Sequence, residues 1–120
     1  MITRIWRGWT TPANALAYEN LLRSEIFTGI EAREIDGYCG ISLCKRESGE
    51  EVEFMTIMWF ERLEGIRAFA GEDYEVAVVP AKARALLSRF DEVSAHYETR
   101  NLHFQMKPGP RFDVESKPPL

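Results

Sequence analysis

His96 is the side chain best suited to move a proton near neutral pH, because an unperturbed imidazole titrates at about 6.5 and the chain holds only one other histidine, His103. On a strand it is either an acid-base group or a structural one, hydrogen-bonded to backbone or to a neighbouring carboxylate. Its spacing from His103 matches no zinc-ligand pattern, so no metal is expected. Arg4 and Trp6 sit two apart and share one face of an extended strand, while Arg7 falls on the other face. That pair reads as an anion site with an aromatic wall, or as a guanidinium stacked on an indole for structural reasons. Trp59 is open between a cavity wall and a core plug. The acidic stretch with Glu72, Asp73 and Glu75 lacks the ligand series of a calcium loop and reads as a solvated turn. No glycine-rich phosphate cradle and no Ser, His and Asp signature of a hydrolase is present.

The elements that carry these residues come from one domain. The chain has 120 residues, 45% of them hydrophobic, enough to fill a core without disulfides or metals. Its net charge is -4 and its basic residues are scattered, which argues against nucleic acid as a partner. There is no apolar run long enough to span a membrane and no plain apolar leader, so the expected location is the cytoplasm. Cys39 and Cys44 share one expected strand, too far apart for a disulfide and on opposite faces, so both are expected as free thiols.

Residues 2–9 read as a strand ended by Thr10 and Thr11. Thr11 then caps a helix with Pro12 at its start, and Tyr18, Leu21, Leu22 and Ile26 form its buried stripe. From Thr28 to Gly37 the pattern breaks, which predicts a loop. Residues 38–46 and 52–60 predict a hairpin turning through 47–51 at Gly49. A short helix around Leu63, Ile66 and Phe69 ends near Gly71, and a second starts at Pro80 with Leu86, Leu87 and Phe90 inward. A last strand is expected over residues 92–99. The order is βαββαβ, a ferredoxin-like α+β fold with a four-stranded antiparallel sheet and helices on one face. The domain covers residues 1–100, and 101–120, with Pro108, Pro110, Pro118 and Pro119, reads as a tail.

The strand over 52–60 is apolar on both faces, with Phe54, Met58 and Phe60 on one and Met55, Ile57 and Trp59 on the other. Helices cover one face only. The second needs another apolar surface, and a second copy of the chain supplies it, which predicts a homodimer through the helix-free face whose joined sheets form a barrel.

The stretches "ITRIWRG", "WFERLEGIRAFAGEDYEVAVVP" and "FDEVSAHYE" resemble the antibiotic biosynthesis monooxygenase domains of the dimeric α+β barrel superfamily. The resemblance implies a pocket between sheet and helices in which a small aromatic or quinol-type molecule is oxidised by dioxygen without a cofactor. It gives His96 the role of base, Arg4 or Arg7 that of anion partner, and Trp6, Tyr38, Trp59 and Tyr74 that of aromatic lining. The alternative is a non-catalytic dimeric domain that binds or senses a small molecule in the same cavity. Haem-degrading relatives carry an Asn on the first strand, a Trp closing the third and an axial His. Of these only Trp59 is matched here, leaving Tyr74 as the one conceivable axial group.

Overall fold

Thr11 ends the first strand and starts the first helix in a single residue. Its extended backbone and its hydroxyl, which accepts from the Asn14 amide at 3.2 Å, make the N-cap, and Pro12 fits the first turn. In the computed structural model, which describes residues 1–105, β1 (Ile2–Thr10) passes through this cap into α1 (Pro12–Leu21). The helix does not stop where the sequence pattern breaks. It widens into a π-helical turn, Leu22–Ile26, and resumes as α2, Phe27–Ala32, so the expected loop begins only after Ala32. The polar residues that look like breakers bond to the helix itself: Ser24 Oγ donates to Asn20 O at 2.6 Å and Thr28 Oγ1 to Ser24 O at 2.9 Å. The wide turn absorbs the residues that fall out of phase, and Tyr18, Leu22 and Ile30 are all buried.

Strands β2 (Tyr38–Ser48) and β3 (Glu51–Phe60) form the hairpin. Ser48 pairs with Glu51, so the turn is tighter than the sequence suggested, and Gly49 takes the φ of 65° that it requires. Along β3, Val52, Phe54, Thr56, Met58 and Phe60 are buried, whereas Glu53, Met55, Ile57 and Trp59 on the other face are only half covered. Helices α3 (Leu63–Ala70) and α4 (Ala81–Leu86) follow. Pro80 precedes α4 as its cap, and Leu87 turns extended to end it, so Phe90 lies on a strand and not on the helix.

The last strand, expected over residues 92–99, is the shorter β5 (Ala95–Glu98), and it is preceded by an unexpected strand, β4 (Arg89–Phe90), in the stretch expected to end the helix; both are antiparallel to β1. Between them the chain leaves β1 to bond elsewhere: the Ala77 amide donates to Glu92 O and the Ser94 amide to Glu75 O. The sheet therefore has five strands where four were expected, in the order β2-β3-β1-β4 with β5 also on β1. It is an antiparallel α+β sheet with its helices on one face, the ferredoxin-like arrangement. Residues 101–104 have no regular structure and are exposed; the prolines of the expected tail lie outside the described residues. Cys39 and Cys44 are free and exposed.

Candidate functional site

The register places Arg4 of β1 opposite His96 of β5, both on the helix-covered face. Arg4 is 3% exposed and makes no ion pair among the described residues. Its charge is met by neutral acceptors instead. Nη1 donates to Tyr74 O at 2.6 Å and to His96 Nε2 at 2.9 Å, and Nη2 reaches Val76 O at 3.5 Å. The guanidinium also lies 5.5 Å from the centre of the Phe69 ring, and the Tyr74 and His96 rings meet edge to face at 5.3 Å. Arginine has no lone pair to offer, so His96 Nε2 accepts, and the proton of the neutral ring sits on Nδ1. Burial lowers the Arg4 pKa to about 10, leaving it charged at neutral pH. Burial and the Arg4 charge push the His96 pKa down, and Glu75 opposes them. The cluster ties the segment after α3 to β1 and β5.

A cavity lies between the sheet and the helices. Its interior measures about 60 Å³, and counting the mouth the empty volume is about 410 Å³. Only the interior is enclosed; the rest is open to solvent. Trp6, Met58 and Ile41 line it from the sheet, Leu22, Ile26, Phe27 and Ile30 from the π-turn and α2, and Val78, Val79 and Pro80 from the segment before α4. Trp6 can lie across the sheet because Gly8 has no side chain: a Cβ there would stand 2.9 Å from Trp6 Cη2 and 3.1 Å from Leu87 Cδ2. The indole is fixed by Nε1, which donates to Asp91 O at 2.7 Å.

Two polar side chains line this apolar space, Tyr18 from α1 and Thr56 from β3. They are 1% and 9% exposed, and neither hydroxyl has a hydrogen-bond partner among the described residues. Burial raises the Tyr18 pKa, so its phenol stays protonated. Ser94 Oγ is the one side-chain atom, among the described residues, that is both sealed from solvent and without a partner. The Tyr18 and Thr56 oxygens therefore touch space that a small polar group can occupy.

No family model matches the sequence, and no curated protein matches it. Solved structures do. Two carry the name "putative antibiotic biosynthesis monooxygenase". The one from Bacillus cereus has a TM-score of 0.56 at 9% identity, covering 88% of this chain and 97% of its own. The one from Chloroflexus aurantiacus J-10-fl has a TM-score of 0.53 at 16% identity, covering 86% and 96%. This chain has the antibiotic biosynthesis monooxygenase fold. Rv0793 from Mycobacterium tuberculosis shares it, with a TM-score of 0.50 at 19% identity over 88% of this chain and 98% of that one. At these identities the likeness is one of fold.

Within this monooxygenase-type fold the seven residues singled out by sequence fall into five places, and Arg7 stands apart, exposed and paired with Asp91 at 3.1 Å. Arg4, His96 and Tyr74 form the bonded cluster. Trp6 lines the cavity. Tyr38 packs against Phe60 with ring centres 5.6 Å apart, and its pKa is raised to about 12 by burial first, then by Glu31 and Cys39. Trp59, paired with Thr3 and Gly40, lies on the helix-free face, as does Arg7, paired with Met55, so the sheet itself separates these two from the other five. Tyr18 and Thr56 were not foreseen as site residues. Tyr18 belongs to the buried helix stripe, as its spacing predicts, and nothing in the sequence marks its hydroxyl as unbonded. No group of three or more His, Cys, Asp and Glu that could hold a metal ion occurs among the described residues, and no helix there is long and apolar enough to cross a membrane.

Proposed function

We propose that this chain binds a small, largely apolar ring-bearing molecule, of aromatic or quinol type, between the sheet and the helices. The observation that carries this reading is the half-open cavity under the π-turn, lined by Trp6 and aliphatic side chains and holding two unengaged hydroxyls. Single π-turns inside α-helices are frequent at functional sites, and Leu22 and Ile26 of this one line the cavity. The interior is smaller than the roughly 300 Å³ of an ordinary ligand pocket. A ring-sized ligand would place its leading edge inside and the remainder in the mouth against Val78 and Pro80.

Cofactor-independent oxygenation of the same ligand is the second reading. It is favoured by the names that the structural neighbours carry and by the apolar lining, which suits a reaction in which an electron-rich anion reduces dioxygen. Against it stands the position of His96, whose Nε2 lone pair is held by Arg4 and which does not line the cavity. Calorimetry with 1-naphthol and oxygen-electrode traces with 1,4-dihydroxynaphthalene separate the two. Saturable binding without oxygen uptake beyond the blank is expected. Uptake that His96→Ala abolishes in a folded protein would establish the oxygenase, and no saturable binding of either probe would remove both readings.

We propose too that a second copy covers the helix-free face. Ile5, Met55, Ile57 and Trp59 are half covered there, and Tyr97, opposite Thr3 on the same face, is 57% exposed. A face this apolar flanks no helix of its own chain. Light scattering after size exclusion is expected to give twice the chain mass, and Ile57→Lys the single mass; a monomeric wild type at micromolar concentration would refute the assembly.

A further inference from the structure

We propose that the Tyr18 and Thr56 hydroxyls are the polar anchor of the cavity, and that they select a neutral ring carrying one oxygen function, which enters oxygen first. The inference rests on the binding reading above and adds what the site discriminates. Three features lead to it.

The first is the state of the two oxygens. Buried polar groups in folded proteins are nearly always bonded, so each exception calls for a cause. Tyr18 and Thr56 are at least nine-tenths buried as residues, their hydroxyls have no partner among the described residues, neither oxygen is sealed as Ser94 Oγ is, and both residues line the same void. Other buried hydroxyls nearby are engaged: Thr10 Oγ1 donates to Leu86 O at 2.6 Å. The second is placement. Thr56 projects from β3, between β1 and β2, and therefore from the floor of the cavity, while Tyr18 comes from the helix above it. A group entering the cavity therefore has one of these residues on the sheet side and the other on the helix side. The third is charge. No ionisable side chain other than Tyr18 lines the cavity, and Tyr18 is held protonated. A carboxylate or ammonium would lose its hydration without a counter-charge.

Each hydroxyl can donate or accept. An alcohol, phenol or ketone oxygen satisfies the pair, and the hydrocarbon part fills the space beside Trp6 and Met58. A hydrocarbon of the same shape displaces whatever water the hydroxyls hold and leaves them bare.

Calorimetry on the full chain with phenol, toluene and benzoate tests this. Phenol is expected to bind about tenfold more tightly than toluene, the equivalent of one to two neutral hydrogen bonds, and benzoate more weakly than either. In Tyr18→Phe and in Thr56→Val the phenol-to-toluene ratio is expected to fall towards one while toluene affinity holds. A ratio near one in the wild type, or one that neither variant changes, overturns the anchor and leaves the cavity reading standing. Benzoate binding as tightly as phenol overturns the neutral selectivity. Failure of all three ligands to bind removes the cavity reading and the anchor together. The wild-type ratio decides the matter even where a variant does not fold.

Discussion

Arg4 and Tyr18 are both buried on the helix-covered side of one sheet, and their polar ends are treated in opposite ways. Arg4 is a full charge, the more costly group to bury, and it is met by two carbonyls, an imidazole and the face of Phe69. Tyr18 is neutral, cheap to satisfy, and left without a partner beside a void. Ser94 is a third case, unpartnered and with no room beside it. The difference separates what polar burial does in this molecule. Where the protein completes its own hydrogen bonds, the group holds chain segments together. Where it leaves a bond unmade and keeps space next to it, the group is available to something else.

The sharpest way to break this comparison is to remove Arg4. Arg4→Met keeps much of the side-chain volume and leaves the Tyr74 and Val76 carbonyls and His96 Nε2 without their donor. A loss of about 3 kcal/mol is expected, from unmet acceptors at a buried site, measured by urea unfolding with the slope unchanged. Limited proteolysis is expected to cut first between Gly71 and Pro80, the segment that Arg4 ties down. A variant as stable as the wild type would mean that the cluster holds nothing, and the distinction between Arg4 and Tyr18 would lose its structural half.

Much of this was legible in the sequence, and the parts that were not share a cause. The alternation along β3 announces two apolar faces, because side chains on a strand point alternately. It does not say which face the helices will cover. Trp59 and Phe60 are adjacent, and a choice between them decides which ring enters the core; the structure puts Phe60 there, fully buried, and Trp59 on the other side. The helix after Ile26 was hidden because a π-turn shifts the buried stripe by a residue, and a shifted stripe looks like a helix end. Ser24 and Thr28 strengthened that impression, since their bonds to the helix's own carbonyls exist only once the helix has formed. Arg4 and His96 were each visible as candidates. Their meeting depends on the register between β1 and β5, a fact of pairing that no local pattern contains.

A milder perturbation of the same cluster is proton uptake by His96. The groups acting on its ring are Arg4, which with burial holds its pKa down, and Glu75, which pulls it up. In the unfolded chain the imidazole gains a proton as the pH falls through about 6.5. In the fold it resists, since a proton on Nε2 would face the Arg4 donor. Between the two pKa values the unfolded state binds more protons, so stability falls as the pH falls. The contribution is fully present above the unfolded value and is lost as pH drops through the folded one. His96→Gln, whose side-chain carbonyl can still accept from Arg4, is expected to flatten this part of the melting-temperature profile between pH 7 and pH 5. An identical profile in the two proteins would show that His96 does not carry the linkage.

The smallest effects test the other side of the comparison. Ser94→Ala removes a hydroxyl that has neither partner nor space, and a gain of about 1 kcal/mol is expected because an unmet buried group disappears. Tyr18→Phe removes one that borders a cavity, and in the absence of ligand its stability is expected to change by less than about 0.5 kcal/mol, since water can serve that oxygen in the wild type. The contrast between a gain and no appreciable change is the informative quantity. If Tyr18→Phe is stabilising to the same degree as Ser94→Ala, the Tyr18 oxygen is as sealed as that of Ser94. The interior beside Trp6 is then dry, and it offers an arriving oxygen nothing that the surrounding hydrocarbon does not.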